Sequence, residues 1–535
     1  MSTTSRLVLI LILTLAAFFR FYHLDGYGLW SDEFVTLMIV SKRSCAELIK
    51  TCFEIPQPMP PLYFLVNKCV CGFFPAGEVG LRFLSALSSL VTGYLLFTLG
   101  RTLFSTTVGL YGSLLFAVNS TQIVYAQNAR PYSFCLLLSS VSMLCFVRWL
   151  RQPSRRWQIG YLLSTVFLFY SHYIFFPLLL IQNAYFLKLR VVRPTGSDAG
   201  TENRSRQVPW KSWLWLQGSV AALLLPLYPQ LLSILHERHN LNWESKYPSI
   251  RDFFMFLHPK LLLWSAVTCL LGVALGYALR RLGRKPLSFK RPGYSKSFEA
   301  EGLTLLALWY VIPLVLFFFL ARGERINLFV ERYLILASLP TFLFVPALAL
   351  TLHSRTLGHL FLGTYFSLYV GFVPAAHFAR RGAFSQGIPG GNEWRETLNQ
   401  LTRPDFQSSL FLFQSPFIES NQLEYRNNSE LFDYLSAPLR SFYVKDHHRP
   451  FVLMPVHWWL VSREHLALKA DIAKQLRAKQ EFTLLSTQEF WDIFEPWLKG
   501  EFSGGVEWQV VSHFRSSGAL RLNTMRCKPV ILTAP

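Results

Sequence analysis

Long apolar runs broken by short polar segments set the plan of this chain. They fall at residues 7–21, 83–100, 108–120, 132–150, 157–170, 173–187, 213–232, 261–279, 303–320, 334–350 and 357–375. Each approaches the ~20 residues that carry a helix across a ~30 Å hydrocarbon core. The pattern predicts an α-helical polytopic membrane protein with about eleven transmembrane helices. The first run follows Arg6 as the apolar part of a secretion signal would, but no small-x-small site closes it. It is therefore read as a retained first helix.

Basic residues set the orientation. Arg148, Arg151, Arg155 and Arg156 share one loop, and Lys188, Arg190, Arg193, Arg204, Arg206 and Lys211 share another. A third holds Arg280, Arg281, Arg284, Lys285, Lys290, Arg291 and Lys296. Every second loop carries such a cluster, which puts those loops and the N-terminus in the cytoplasm. Counting the apolar stretch 59–74 as a span would reverse that order. It is read instead as a re-entrant or juxtamembrane helix at the outer interface. The first outer loop then runs from about 22 to 82, and a loop this long is usually functional.

Polarity changes near Ala379, and Gly387-Ile388-Pro389-Gly390-Gly391 reads as a linker. Asn392 opens an amphipathic helix. Apolar runs at 410–413, 451–454 and 482–485 read as strands, with a helical pattern over 463–479. The expected organisation is a transmembrane domain over 1–378 and a small extracytoplasmic α/β domain over 379–535.

Composition agrees with the lipid reading. Of the 535 residues, 52% are hydrophobic and only 16% charged, against roughly 25% charged in a soluble domain. Mean hydropathy is +0.30. A net charge of +21 would suit nucleic acid, but the cations sit in short loops between spans, so no nucleic-acid partner is inferred. The eight cysteines lack metal-ligand spacing, and Cys69-Val70-Cys71 lies in an apolar segment where packing explains it.

The outer side gathers the chemistry. Gly28-Leu29-Trp30-Ser31-Asp32-Glu33 places two adjacent carboxylates soon after the first span. They suit either the start of an interfacial helix or a base working at the membrane edge. Glu78 and Arg82, then Gln127, Arg130 and Tyr132, then His172, then Arg332 and Tyr333 fall on the same side. An arginine fork binds phosphate with two donors. Plainer roles exist for each: Arg130 and Arg332 as snorkelling ends, Glu78 and Arg82 as an i,i+4 pair, and His172 as a satisfied interface residue.

The ordered motifs Leu29-Trp30-Ser31-Asp32-Glu33, Pro60-Pro61-Leu62-Tyr63, Glu78-Val79-Gly80-Leu81-Arg82, Tyr125 to Tyr132, Tyr170-Ser171-His172-Tyr173 and Arg332-Tyr333-Leu334 carry a resemblance. The chain resembles the bacterial membrane glycosyltransferases of the GT-C type. These are the glycosyltransferase 39 group, related to protein O-mannosyltransferases and to the aminoarabinose transferase of lipid A. The resemblance covers the first ~150 residues well and the rest loosely. It implies a polyprenyl-phosphate-linked sugar donor, a glycolipid or protein acceptor, and a place in the bacterial inner membrane among its lipids. It implies Asp32 as catalytic base with Glu33 as its acidic neighbour, and Arg130, Arg332 and Tyr333 near the donor phosphate. Glu78, Arg82, Gln127, Tyr132 and His172 complete the candidate substrate site. Met59 stands where many relatives carry an acidic residue or His, and Asn128 where many carry Glu. Both departures remove a possible divalent-metal ligand, and no cofactor is assigned.

The resulting expectation is an inverting glycosyltransferase acting on the outer side of the membrane. A transporter or flippase for lipid-linked glycans is the alternative. Such a protein wants charged or broken helices near the midplane, whereas here the ionisable residues lie at helix ends and in loops. A scaffold that binds glycolipid without turnover is a third possibility, opposed by the intact Asp32–Glu33 pair.

Overall fold

The computed structural model describes residues 1–191, 208–236, 248–252, 296–323, 328–351, 358–359, 361–363, 365–366, 391–445, 449–478, 481–502, 506–516 and 520–531. Nine of the eleven apolar runs lie within them and are helical; 261–279 and most of 357–375 lie outside, as does the linker before Gly391. Among the described residues, seven helices are long and apolar enough to cross a membrane. They are Thr3–Phe21, Glu78–Leu103, Tyr132–Arg151, Tyr173–Val191, Trp210–His236, Ala300–Gly323 and Glu331–Leu350. The other two runs form shorter helices, Thr106–Val118 with 13 residues and Arg155–Phe169 with 15. Among the described residues, seven of the eleven expected spans are therefore present by length and composition. The stretch 59–74 yields only Leu62–Cys71, a ten-residue helix. At 1.5 Å per residue it reaches about 15 Å, half the hydrocarbon core, and is too short to cross.

Contacts divide the chain into two units, Met1–Tyr22 with Phe83–Ser385 and His23–Arg82 with Gln386–Pro535. The loop over 22–82, grouped above with the membrane part, thus clusters with the C-terminal residues. The cause is a set of long-range hydrogen bonds described below.

In the first unit the core gathers Leu96, Phe116, Phe146, Trp149, Trp213, Trp309 and Leu343, all buried. Helix ends are set by small polar caps. Ser105 Oγ accepts from Val108 N at 3.2 Å. Asn119 Oδ1 accepts from Gln122 N at 2.9 Å, ending one helix and starting Ser120–Ala126. Arg20, fully buried at the end of the first helix, donates to the carbonyls of Ala16, Phe116 and Ala117 and to Ser89 Oγ. An arginine without aqueous solvation requires such partners. A Cβ on Gly109 would lie 2.4 Å from the Phe97 carbonyl oxygen, so helices Glu78–Leu103 and Thr106–Val118 touch through their backbones.

The second unit is built on a five-stranded sheet. Its strands are β1 (Leu410–Gln414), β2 (Val452–Met454), β3 (Phe482–Thr487), β4 (Val506–Arg515) and β5 (Leu522–Ile531), in the order β2-β1-β3-β5-β4. The first three are parallel, β5 runs antiparallel to β3, and β4 pairs antiparallel with β5. Helices Arg463–Ala478 and Gln488–Glu501 follow β2 and β3 in sequence. The expected α/β C-terminal portion is present, with a β4–β5 hairpin added.

Candidate functional site

Trp30 leads into the helix Ser31–Val40, which puts Asp32 and Glu33 in its first turn, where negative charge meets the positive end of the helix dipole. The two carboxylates then diverge. Glu33 is 1% exposed and receives both arms of Arg82: Nε donates to Oε1 at 2.8 Å and Nη2 to Oε2 at 2.6 Å. Arg82 spends its remaining donors on the carbonyls of Leu24, Tyr27 and Gly28. Such a fork satisfies a buried ion pair as fully as side chains can. Asp32, half-buried, takes no part in that fork.

The i,i+4 pairing of Glu78 with Arg82 is replaced by longer-range partners. Glu78 Oε1 accepts from Arg395 Nη2 at 2.7 Å and from the Tyr443 hydroxyl at 2.6 Å. Burial, then the Glu78 acceptor, pushes the Tyr443 phenol up and keeps it a donor. The Tyr443 hydroxyl oxygen also accepts from Leu29 N at 2.8 Å, Asn392 Oδ1 accepts from Gly28 N at 3.0 Å, and Arg395 donates to the Asp25 carbonyl. Residues from the C-terminal part thereby hold the strip 25–29 that leads into Asp32.

Sequence reasoning missed Glu419, which lies in a short 3-10 turn, Ile418–Gln422, with no motif around it. It is buried and accepts from Gln57 Nε2 at 2.9 Å. Burial first, with the Asp32 charge adding, raises its carboxyl above the usual range, while the Gln57 donor opposes. The folded state therefore binds this proton more tightly than the unfolded chain. The stability it contributes is full below the unfolded value of about 4.3 and is lost as pH rises through the folded value. Glu419→Gln keeps the Gln57 contact and removes that loss. Its unfolding temperature should match the parent's at pH 4 and exceed it at pH 8; a gap that narrows with rising pH would contradict this account.

The first unit holds the other candidates. Arg130 is buried, which departs from the snorkelling alternative, and its carbonyl accepts from Ser85 Oγ. The Tyr132 ring lies 5.7 Å from that of His172 and 5.4 Å from that of Tyr125. His172 Nδ1 accepts from Ile174 N at 3.3 Å. Burial first, then the charges of Arg130 and Arg332, push this imidazole down to about 3. It stays neutral while both arginines bear on it. The Arg332 guanidinium lies 5.1 Å from the Tyr333 ring centre. Arg130, Tyr132, His172, Arg332 and Tyr333 thus form one cationic, aromatic group. Gln127 is used otherwise: its Nε2 donates to the Phe19 and Tyr22 carbonyls and caps the first helix. Among the described residues no cluster of three His, Cys, Asp or Glu side chains is placed to hold a metal.

Residues 58–194 match the family model of dolichyl-phosphate-mannose-protein mannosyltransferases. No curated protein matches the chain. Solved structures are similar to it, these three among them. ArnT from Cupriavidus metallidurans in the apo state is 13% identical, with 98% of each chain covered and a TM-score of 0.48. The Archaeoglobus fulgidus oligosaccharyltransferase tethered with an acceptor peptide is 11% identical, with 97% of this chain and 74% of that one covered and a TM-score of 0.47. The S. cerevisiae protein O-mannosyltransferase Pmt1–Pmt2 complex bound to the sugar donor is 14% identical, with 44% and 33% covered and a TM-score of 0.32. The matched segment 58–194 carries the Pro60-Pro61, Glu78–Arg82, Tyr125–Tyr132 and His172 motifs, whereas Asp32, Glu33, Arg332 and Tyr333 lie outside it.

Proposed function

We propose that the chain is a GT-C type glycosyltransferase that moves a sugar from a polyprenyl-phosphate carrier to an acceptor hydroxyl or amine. The observation that carries this reading is the divided acidic pair. Glu33 is locked by Arg82, and Asp32 stands beside it in the first helical turn. A carboxylate whose two oxygens are both held by a guanidinium is poorly placed to take a proton, which turns the assignment of the base to its neighbour. Asp32 would deprotonate the acceptor as it attacks the anomeric carbon opposite the departing phosphate. One displacement with one base gives inversion. The carrier phosphate leaves as a stable anion, and Arg130 and Arg332 would neutralise it in place of a general acid. The reaction belongs on the outer face of a bacterial inner membrane, with the N-terminus in the cytoplasm, as the basic loops argue.

Purified full-length chain, mixed with a polyprenyl-phosphate sugar and an envelope glycolipid extract, should release free polyprenyl phosphate. The product linkage should have the opposite anomeric configuration by NMR. Retained configuration would overturn the single-displacement mechanism. Alanine at Arg130 or Arg332 should weaken donor binding about ten- to hundred-fold, the worth of a charged hydrogen bond. Lysine should restore it only partly, lacking the planar fork. Unchanged donor affinity in both alanine variants would remove these arginines from the phosphate role.

A further inference from the structure

In open α/β sheets, ligands enter the crevice beyond the carboxyl ends of parallel strands, where the strand order reverses. Here β1 leads to β2 on one side and β3 returns on the other, so the reversal lies at β1 and β3. Gln414 ends β1, and its Oε1 accepts from Thr487 N at 2.8 Å and from Thr487 Oγ1 at 3.2 Å. Its Nε2 donates to the Val456 carbonyl at 3.0 Å, beyond β2. One side chain thus ties together the carboxyl ends of all three strands.

A cavity of about 190 Å³ opens at this point, lined by Gln414, His457, Trp459, Ser486 and Trp394, and by Ser31, the residue before Asp32. Trp394 and Ser486 are buried, and Trp394 Nε1 and Ser486 Oγ find no hydrogen-bond partner among the described residues. Buried donors of this kind are costly unless something meets them. At the rim, the Trp459 ring stacks on His457 at 4.2 Å yet stays 46% exposed, presenting a flat aromatic face with a polar edge.

These features restrict the ligand. The volume lies below the ~300–1,000 Å³ of pockets for drug-sized molecules, so one ring-sized group fits. The lining includes Glu489 and no Lys or Arg among the described residues, which disfavours phosphate. Hydroxyl, amide and indole groups beside an exposed Trp suit the polar edge and apolar face of a sugar ring. We propose that this cavity is an acceptor subsite that takes one neutral or amino sugar ring of a glycan or glycolipid. The assignment deepens the transferase reading and rests on it for the word acceptor, though not for the binding itself.

Saturation-transfer NMR on the full-length chain in nanodiscs tests it, with the neutral disaccharide maltose, chitobiose and the tripeptide Ala-Ser-Ala as probes and inorganic phosphate as an unlabelled competitor. Ring-proton transfer is expected for at least one sugar and should survive excess phosphate, while the methyl protons of the peptide should receive none; loss of the sugar signal on adding phosphate would overturn the subsite. Trp459→Ala, a change at an exposed side chain, should lower that transfer at least five-fold. Ser486→Ala should weaken sugar affinity about three- to ten-fold, as for one neutral hydrogen bond. A hydroxyl that is merely stranded would instead leave affinity unchanged and raise thermal stability when removed. Sugar transfer indifferent to both variants, or binding of the tripeptide in place of the sugars, overturns the subsite. Sugar binding in a wild-type chain that is inert toward polyprenyl-phosphate sugars overturns the transferase reading alone.

Discussion

Asp32→Asn is expected to lower sugar transfer by about 10²–10⁴-fold, the usual worth of a positioned general base. The substitution keeps the side chain's shape and most of its hydrogen bonding while removing its basicity. The isosteric change leaves the Glu33–Arg82 fork in place, so the variant should fold and insert as the parent does. Its affinity for the lipid-linked donor should also hold, because the base addresses the acceptor. Release of polyprenyl phosphate and donor binding, measured on the same preparation, separate the two effects. Full activity in this variant would return the acidic pair to the role of helix start. Glu33→Gln needs a different reading from the one adjacency suggests. Any loss of turnover there has to be divided by the fraction of chain still folded, since Glu33 is part of a buried pair.

Much of this arrangement was legible in the chain, and what was not has a common cause. The spans could be read because lipid demands long apolar helices, and β1 and β3 because strands buried on both faces are continuous apolar runs. LFLFQ and FTLLST are buried almost throughout. The β4–β5 hairpin gave no such run: β4 lies at the sheet edge with mixed exposure, and β5 carries Arg526, Lys528 and Pro529. The short helix Leu62–Cys71 could be set aside as a span only through the charge pattern, because its composition alone passes for one.

The acidic pair itself stood out, but its division of roles did not. Periodicity offers Arg82 a partner four residues away, Glu78, whereas the fold gives it Glu33, 49 residues away. Glu78 in turn finds Arg395 and Tyr443, more than 300 residues on. Such partners are set by tertiary packing, and no local spacing encodes them. Glu419 was invisible for the same reason: it meets Gln57 and feels the Asp32 charge only after the C-terminal part folds against the loop over 22–82. Gln127 shows the converse. A motif position suggested substrate, and the structure spends it on the carbonyls that the first helix leaves open at Phe19 and Tyr22.

Arg82→Ala should strongly destabilise the unit formed by residues 23–82 and 386–535. It strands the 1%-exposed Glu33 carboxylate and leaves the carbonyls of Leu24, Tyr27 and Gly28 without their donor. Breaking one side of a buried pair costs about 3–5 kcal/mol. Glu33→Met should cost a comparable amount by stranding the guanidinium. Replacing both residues with Met removes the uncompensated charge, so the double variant should be less destabilised than the sum of the single ones. Full recovery is not expected, because methionine cannot serve the three carbonyls. The coupling should exceed about 1 kcal/mol in a double-mutant cycle by denaturant unfolding. Hydrogen exchange in the single variants should rise first across residues 24–33, the strip that Arg82 ties down. Sugar transfer should fail at temperatures where the membrane helices remain intact, since Asp32 sits within that strip. Additive single and double effects would mean that the fork contributes no mutual stabilisation. Glu33 would then be available as a second candidate base beside Asp32.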